Sequence, residues 1–162
     1  MKFGKFAIIT GAVLSTAIVM GSAWAAKQTP QEAAIDYRQS AFTMIRNHFG
    51  PMAGMVKGDV PFDAAAFKKN ADAVATLSQF PINGFIDGSY EGKTEAKPEI
   101  AAKMEDFRAK METFKVEAAN LAKAADGASD IAALKPQFSK VAESCKACHD
   151  SYRSEEHTSE LQ

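Results

Sequence analysis

The sequence predicts an all-α fold, an antiparallel four-helix bundle, on three observations. Four stretches place apolar residues at alternating spacings of three and four, so each carries one narrow inward stripe. No stretch combines strict alternation with β-branched enrichment, so strands are not expected. The chain of 162 residues has length for one domain of ordinary size. Four amphipathic helices with three connections describe a bundle.

Composition narrows the function classes. The 19 basic and 20 acidic side chains balance, so neither a basic field for nucleic acid nor an acidic solvating tail is present. Apolar residues at 46% and charged residues at 24% are ordinary for a globular protein. Two cysteines exclude a disulfide-rich scaffold and leave Cys145 and Cys148 to be explained.

The elements follow in order. Lys2 and Lys5 precede an apolar run from Phe6 to about Met20, and Ala23 and Ala25 stand where a signal peptidase reads small residues. Residues 1–25 are therefore expected to be a secretory signal. The run falls short of the ~20 apolar residues a retained membrane anchor needs. The domain, residues 26–153, is expected to work in the periplasm, an oxidising space. Thr29-Pro30-Gln31-Glu32 is a capping box with proline at the first helical position. Ile35, Arg38, Phe42, Ile45, Phe49 and Met52 then form one stripe, and Gly50 and Pro51 predict the end of this first helix. Asp63 can cap a second helix with Phe67, Ala71, Val74 and Leu77 or Ser78 inward, ending by Pro81. Between Phe80 and Pro98, the glycines Gly84, Gly88 and Gly92 predict an irregular stretch long enough to have a task of its own. A third helix runs from Pro98 to Gly127 with Ile100, Met104, Phe107, Met111, Phe114, Ala118 and Leu121 inward. The fourth, capped by Ser129 or Asp130, carries Leu134, Phe138, Val141, Cys145, Cys148 and Tyr152; Pro136 falls in its early turns, where a missing donor costs little. Residues 154–162 resemble the in-frame translation of a sequencing-library adapter and are expected to be a non-native tail without function.

The chemistry is in Cys145-Lys146-Ala147-Cys148-His149. On a helix turning about 100° per residue, Cys148 and His149 fall about 60° and 40° to either side of Cys145. Two thiols then reach the two vinyl edges of a porphyrin while an imidazole points at its iron from the same face. The motif therefore reads as covalent attachment of haem c, with His149 as the metal ligand. Three other readings compete. A thioredoxin-like redox pair wants a strand–helix–strand setting and has no use for His149. A zinc site needs a fourth ligand such as His48. A disulfide between residues three apart closes too short a loop to stabilise much.

Cys-Lys-Ala-Cys-His-Asp-x-Tyr-Arg on the last helix, with Asp36-Tyr37-Arg38-Gln39-Ser40-Ala41-Phe42 and His48-Phe49-Gly50 on the first, resembles the cytochrome c′ family. Met55-Val56-Lys57-Gly58, Pro61-Phe62-Asp63-Ala64 and Lys97-Pro98-Glu99-Ile100 extend the likeness across nearly the whole mature chain. The resemblance implies a periplasmic homodimer pairing through its first two helices, with one high-spin, five-coordinate haem c per chain. It also implies that the residue facing the open side of the iron is Phe42, where low-spin relatives carry methionine. A phenyl ring has no lone pair for iron. Among rival ligands, Met44 lies about 200° round the helix from Phe42. Met104 and Met111 sit on a core stripe, where methionine is usually filling. Met52 and Met55 are expected at or beyond the end of the first helix, as interface or loop packing, and His48 lies beside the inward stripe.

An open iron beneath an apolar ring is expected to take nitric oxide and carbon monoxide, small diatomic gases that need little hydrogen-bonding help, over dioxygen. Arg38, an inward charge, is expected to pair with a haem propionate, and Gln39 and Glu91 match family positions at the haem edge. Arg153, four residues after His149, is expected on the proximal side. The function implied is nitric oxide buffering or scavenging, with electron transfer to an unidentified periplasmic redox partner. The alternative is a six-coordinate electron carrier. No acid–base pair for an enzyme is evident.

Overall fold

The computed structural model describes residues 27–154, so the expected export signal and the tail after Ser154 lie outside the described residues. Helix α1 spans Pro30–Lys57. Thr29 opens it as expected: its Oγ1 accepts from the Glu32 amide at 3.2 Å, and its own amide donates to Glu32 Oε2 at 2.8 Å. The predicted stop at Gly50-Pro51 does not hold. The helix continues through Pro51 and closes on Gly58, whose φ of +85° lets its amide reach the Gly54 and Met55 carbonyls. Burial explains the difference. Met52 and Met55 are 0% and 9% exposed, and packing them offsets the missing Pro51 donor, whose carbonyl counterpart belongs to the exposed residue Asn47. The two methionines are therefore helical core residues, not loop or interface packing.

Helix α2, Ala64–Leu77, is capped by Asp63 Oδ1 on the Ala66 amide and buries Phe67, Ala71 and Val74. A short 3-10 turn, Pro81–Gly84, begins the long connection. At Gly84 a Cβ would stand 2.6 Å from the Ala34 carbonyl oxygen and 2.7 Å from Arg38 Cβ, so only glycine lets this turn lie on α1.

The expected third helix comes in two pieces. Helix α3, Glu99–Ala102, is a single turn, and α4, Met104–Ala124, follows after Lys103 leaves helical geometry at φ −124° and ψ 33°. The break lies next to a tether. The Lys97 amide donates to the Tyr152 carbonyl, the Ser154 amide donates to the Glu95 carbonyl, and Ala96 bridges Arg153. The approach to α3 is thus set by the end of the last helix rather than by α4. Asp130 caps α5, Ile131–Tyr152, which passes through Pro136 and buries Leu134, Phe138, Val141, Ser144 and Tyr152.

Helix α1 packs on α2, α2 on α4 and α4 on α5, whereas α1 and α5 touch only sparingly. This is the four-helix bundle the periodicity predicts, without strands among the described residues. No helix among them is long and apolar enough to cross a membrane.

Candidate functional site

Residues on both sides of the α1–α5 seam build the site. Cys145 and Cys148 sit on α5 as free, half-buried thiols packed against the core. Burial pushes both up to about 11, with Ser144 drawing Cys145 part of the way back. Both are therefore protonated at neutral pH, which is the wrong state for a redox dithiol. His149, the next residue, is exposed. Partial desolvation and then the Arg153 guanidinium hold its pKa below the ordinary value, leaving a neutral nitrogen to ligate a metal. Among the described residues no group of three or more His, Cys, Asp or Glu side chains converges as a metal cage, so His48 does not complete the zinc alternative.

On α1, Phe42 is half-buried and packs against the same core. It begins an aromatic row across the end of the bundle: Phe42 meets Phe85 edge-on at 6.4 Å, Phe85 meets Phe107 at 4.5 Å, and Phe107 meets Tyr152 at 5.3 Å and 90°. Tyr152 ends the row with its hydroxyl on Asp106 Oδ2 at 2.5 Å, and that bond holds the phenol up to about 12. Farther along the seam, Phe49 and Phe138 stack at 4.5 Å and 11°, joining α1 directly to α5.

Arg38 is 2% exposed and grips the long loop. Nη1 donates to the Gly84 carbonyl at 2.5 Å and Ser89 Oγ at 2.8 Å; Nη2 donates to the Ser89 carbonyl at 2.5 Å and Thr94 Oγ1 at 2.7 Å. Its Cζ also lies 4.6 Å above the Phe85 ring. The sequence predicts a buried charge here but not this task of holding the loop. Gln39 is exposed and donates to the Lys93 carbonyl at 2.9 Å. Glu91 is exposed on the loop; the acid that reaches the α5 end is Glu95, which accepts from Arg153 Nε at 2.5 Å. Arg153 in turn closes α5 through its amide on the His149 carbonyl. Phe85, Ser89, Thr94 and Glu95 are site residues that sequence reasoning missed. An aromatic directly after Gly84 in the long loop was the available signal for Phe85; the others carry no periodicity.

The rival iron ligands fall elsewhere. Met44 is exposed, Met111 is buried on α4, Met104 is half-buried, and His48 Nδ1 is 2.9 Å from Asn70 Oδ1. Met52 lies ten residues beyond Phe42, about 15 Å along α1.

These residues fit haem c. Two thiols and an imidazole share one helix, the aromatic row supplies apolar walls, and a fully buried guanidinium stands at one end with only neutral acceptors. Fold and site together define a c-type cytochrome built on a four-helix bundle. The family model described as Cytochrome C′ matches residues 33–153. The cytochrome c′ of Alcaligenes xylosoxydans xylosoxydans is 43% identical over 122 residues, 75% of this chain and 94% of that protein. The structure of cytochrome c′ from Shewanella frigidimarina is 47% identical, with a TM-score of 0.75 over 79% of this chain and 98% of that one. Structures of variants of the Alcaligenes xylosoxidans protein are similar too. One is a nitric oxide complex, at 41% identity and a TM-score of 0.71 over 78% of this chain and 97% of that one. Another has carbon monoxide bound, at 41% identity and a TM-score of 0.70 over 78% and 98%. The chain belongs to the cytochrome c′ family, whose members hold haem c covalently.

Proposed function

We propose that this protein is a periplasmic gas-binding cytochrome, not an enzyme, which carries one haem c per chain and buffers or scavenges nitric oxide. Haem, when bound, would supply an iron able to take a small diatomic. Cys145 and Cys148 would anchor it, His149 would hold the metal from α5, and Arg38 and Gln39 would keep the loop over its edge. The observation that carries the reading is the aromatic row that runs from Phe42 on α1 to Tyr152 on α5. Phe42 is half-buried and braced edge-on by Phe85, and neither ring offers a lone pair to iron or a hydrogen-bond donor to a ligand. Such a wall excludes water and favours nitric oxide and carbon monoxide, which need no donor, over dioxygen. The nitric oxide and carbon monoxide complexes of the Alcaligenes xylosoxidans relative support the same ligand class. Electron exchange with a periplasmic redox partner is compatible with this site.

Absorption spectra of the purified oxidised and reduced protein test the proposal. High-spin bands and ready carbon monoxide binding are expected. A methionine-to-iron charge-transfer band, or refusal of carbon monoxide, would overturn it in favour of a six-coordinate electron carrier.

A further inference from the structure

Two buried groups at the aromatic end of the bundle lack the kind of partner each requires. The Tyr90 side chain is 8% exposed, and its hydroxyl is enclosed with no hydrogen-bond partner among the described residues. A buried hydroxyl without an acceptor carries an uncompensated desolvation penalty, so a native protein seldom keeps one. Beside it, the fully buried Arg38 makes hydrogen bonds only to neutral oxygens, and among the described residues no carboxylate stands within ion-pair distance of it.

The two groups are neighbours. Tyr90 directly follows Ser89, whose Oγ and carbonyl oxygen both accept from Arg38. Burial raises the Tyr90 pKa, while Arg38 and, more weakly, Arg108 draw it back, and Asp87 pushes the other way. Asp87 is exposed and makes no hydrogen bond to the hydroxyl. Arg38 also lies over Phe85, and the row through Phe107 leads to Tyr152, three residues past His149. A donor without an acceptor, next to a cation without a counter-charge, is complementary to one buried carboxylate. A water molecule would satisfy the donor alone.

We propose that the Tyr90 hydroxyl donates a hydrogen bond to a propionate carboxylate of haem c, seated beside Arg38, which makes Tyr90 a haem-binding residue contributed by the long loop. This rests on the haem c reading of the Cys145–His149 segment.

The test compares the full haem-loaded protein with its Tyr90→Phe variant, which deletes one oxygen and keeps the packed ring. Haem content is fixed first by the pyridine haemochrome assay. The readouts are the propionate vibration in resonance Raman spectra and the pH at which propionate ionisation bends the midpoint potential. Losing the donor disfavours the carboxylate form, so the inflection is expected to move up by about one pH unit, with a shifted propionate band. A fully loaded variant with both readouts unchanged would overturn the Tyr90 assignment alone. A wild-type chain that carries no haem would instead remove the underlying reading, and this proposal with it.

Discussion

Phe42 and Arg38 lie four residues apart on one face of α1, and the site depends on their opposite chemistry. Phe42 works by bulk and by having nothing to donate. If it crowds the ligand position, Phe42→Ala should speed carbon monoxide association with the reduced protein by about tenfold or more, since relieving such crowding is worth about 1–3 kcal/mol. Flash photolysis measures this directly, and an unchanged rate would overturn the idea that Phe42 crowds the ligand. Arg38 works by donating in four directions. Arg38→Met keeps the stem but leaves the Ser89 carbonyl without its Arg38 donor and the Gly84 carbonyl with only a long bond from Ser89 Oγ at 3.5 Å. A loss of about 3 kcal/mol in urea unfolding of the haem-loaded protein is expected, with the loop the first segment to exchange amide hydrogens. The inward position of Arg38 was legible from its place on the apolar stripe. Its partners were not, because Gly84, Ser89 and Thr94 come from a segment without periodicity and reach α1 only through the glycine-sized gap at Gly84. Cys145, Cys148 and His149 were legible because their chemistry is local to one helical turn.

At the scale of elements, all four long helices were readable from spacing and caps, and the departures share a cause: tertiary contacts outweighed local signals. Pro51 reads as a stop, yet Met52 and Met55 beyond it are core residues and carry the helix on. It follows that Pro51→Ala restores a backbone donor without disturbing packing, and a gain of about 1–2 kcal/mol in chemical unfolding is expected; a loss would mean that Pro51 has a structural role of its own. The break at Lys103 arises from pairing with the end of α5, a contact between segments over fifty residues apart that no window of sequence contains. The start of α1 is the opposite case, local in full. The Thr29 amide and then its hydroxyl hold the Glu32 carboxyl below the ordinary carboxylate range. Because the folded-state value is the lower one, the cap's contribution is complete above the ordinary carboxylate pKa and is lost as pH falls through the folded value. Thr29→Ala, which removes the hydroxyl and keeps the amide, should therefore raise the Glu32 titration midpoint seen by NMR part of the way and reduce that stretch of acid sensitivity.

For the whole molecule, the four inward stripes account for the core but leave apolar surface on α1. Tyr37 and Met44 are 43% and 46% exposed, and seven residues separate them, so they lie two turns apart on one side of the helix. That side differs from the one carrying Arg38 and Phe42, so it is available to a partner without obstructing the site. The near-neutral chain, with a formal charge of −1, sets up little long-range repulsion between copies. These features support a homodimer formed through α1 and its neighbour α2, as the family resemblance implies. Sedimentation velocity on the haem-loaded protein should find a dimer. Met44→Glu, which places a charge in the centre of the proposed contact, should yield monomers with an unchanged haem spectrum, because Met44 points away from the seam that Phe42 lines. A wild-type protein that sediments as a monomer would overturn the dimer, and a variant that stays dimeric at micromolar concentration would move the contact elsewhere on the bundle. A variant with altered spectrum would show instead that the outer face of α1 and its inner face are coupled through the helix they share.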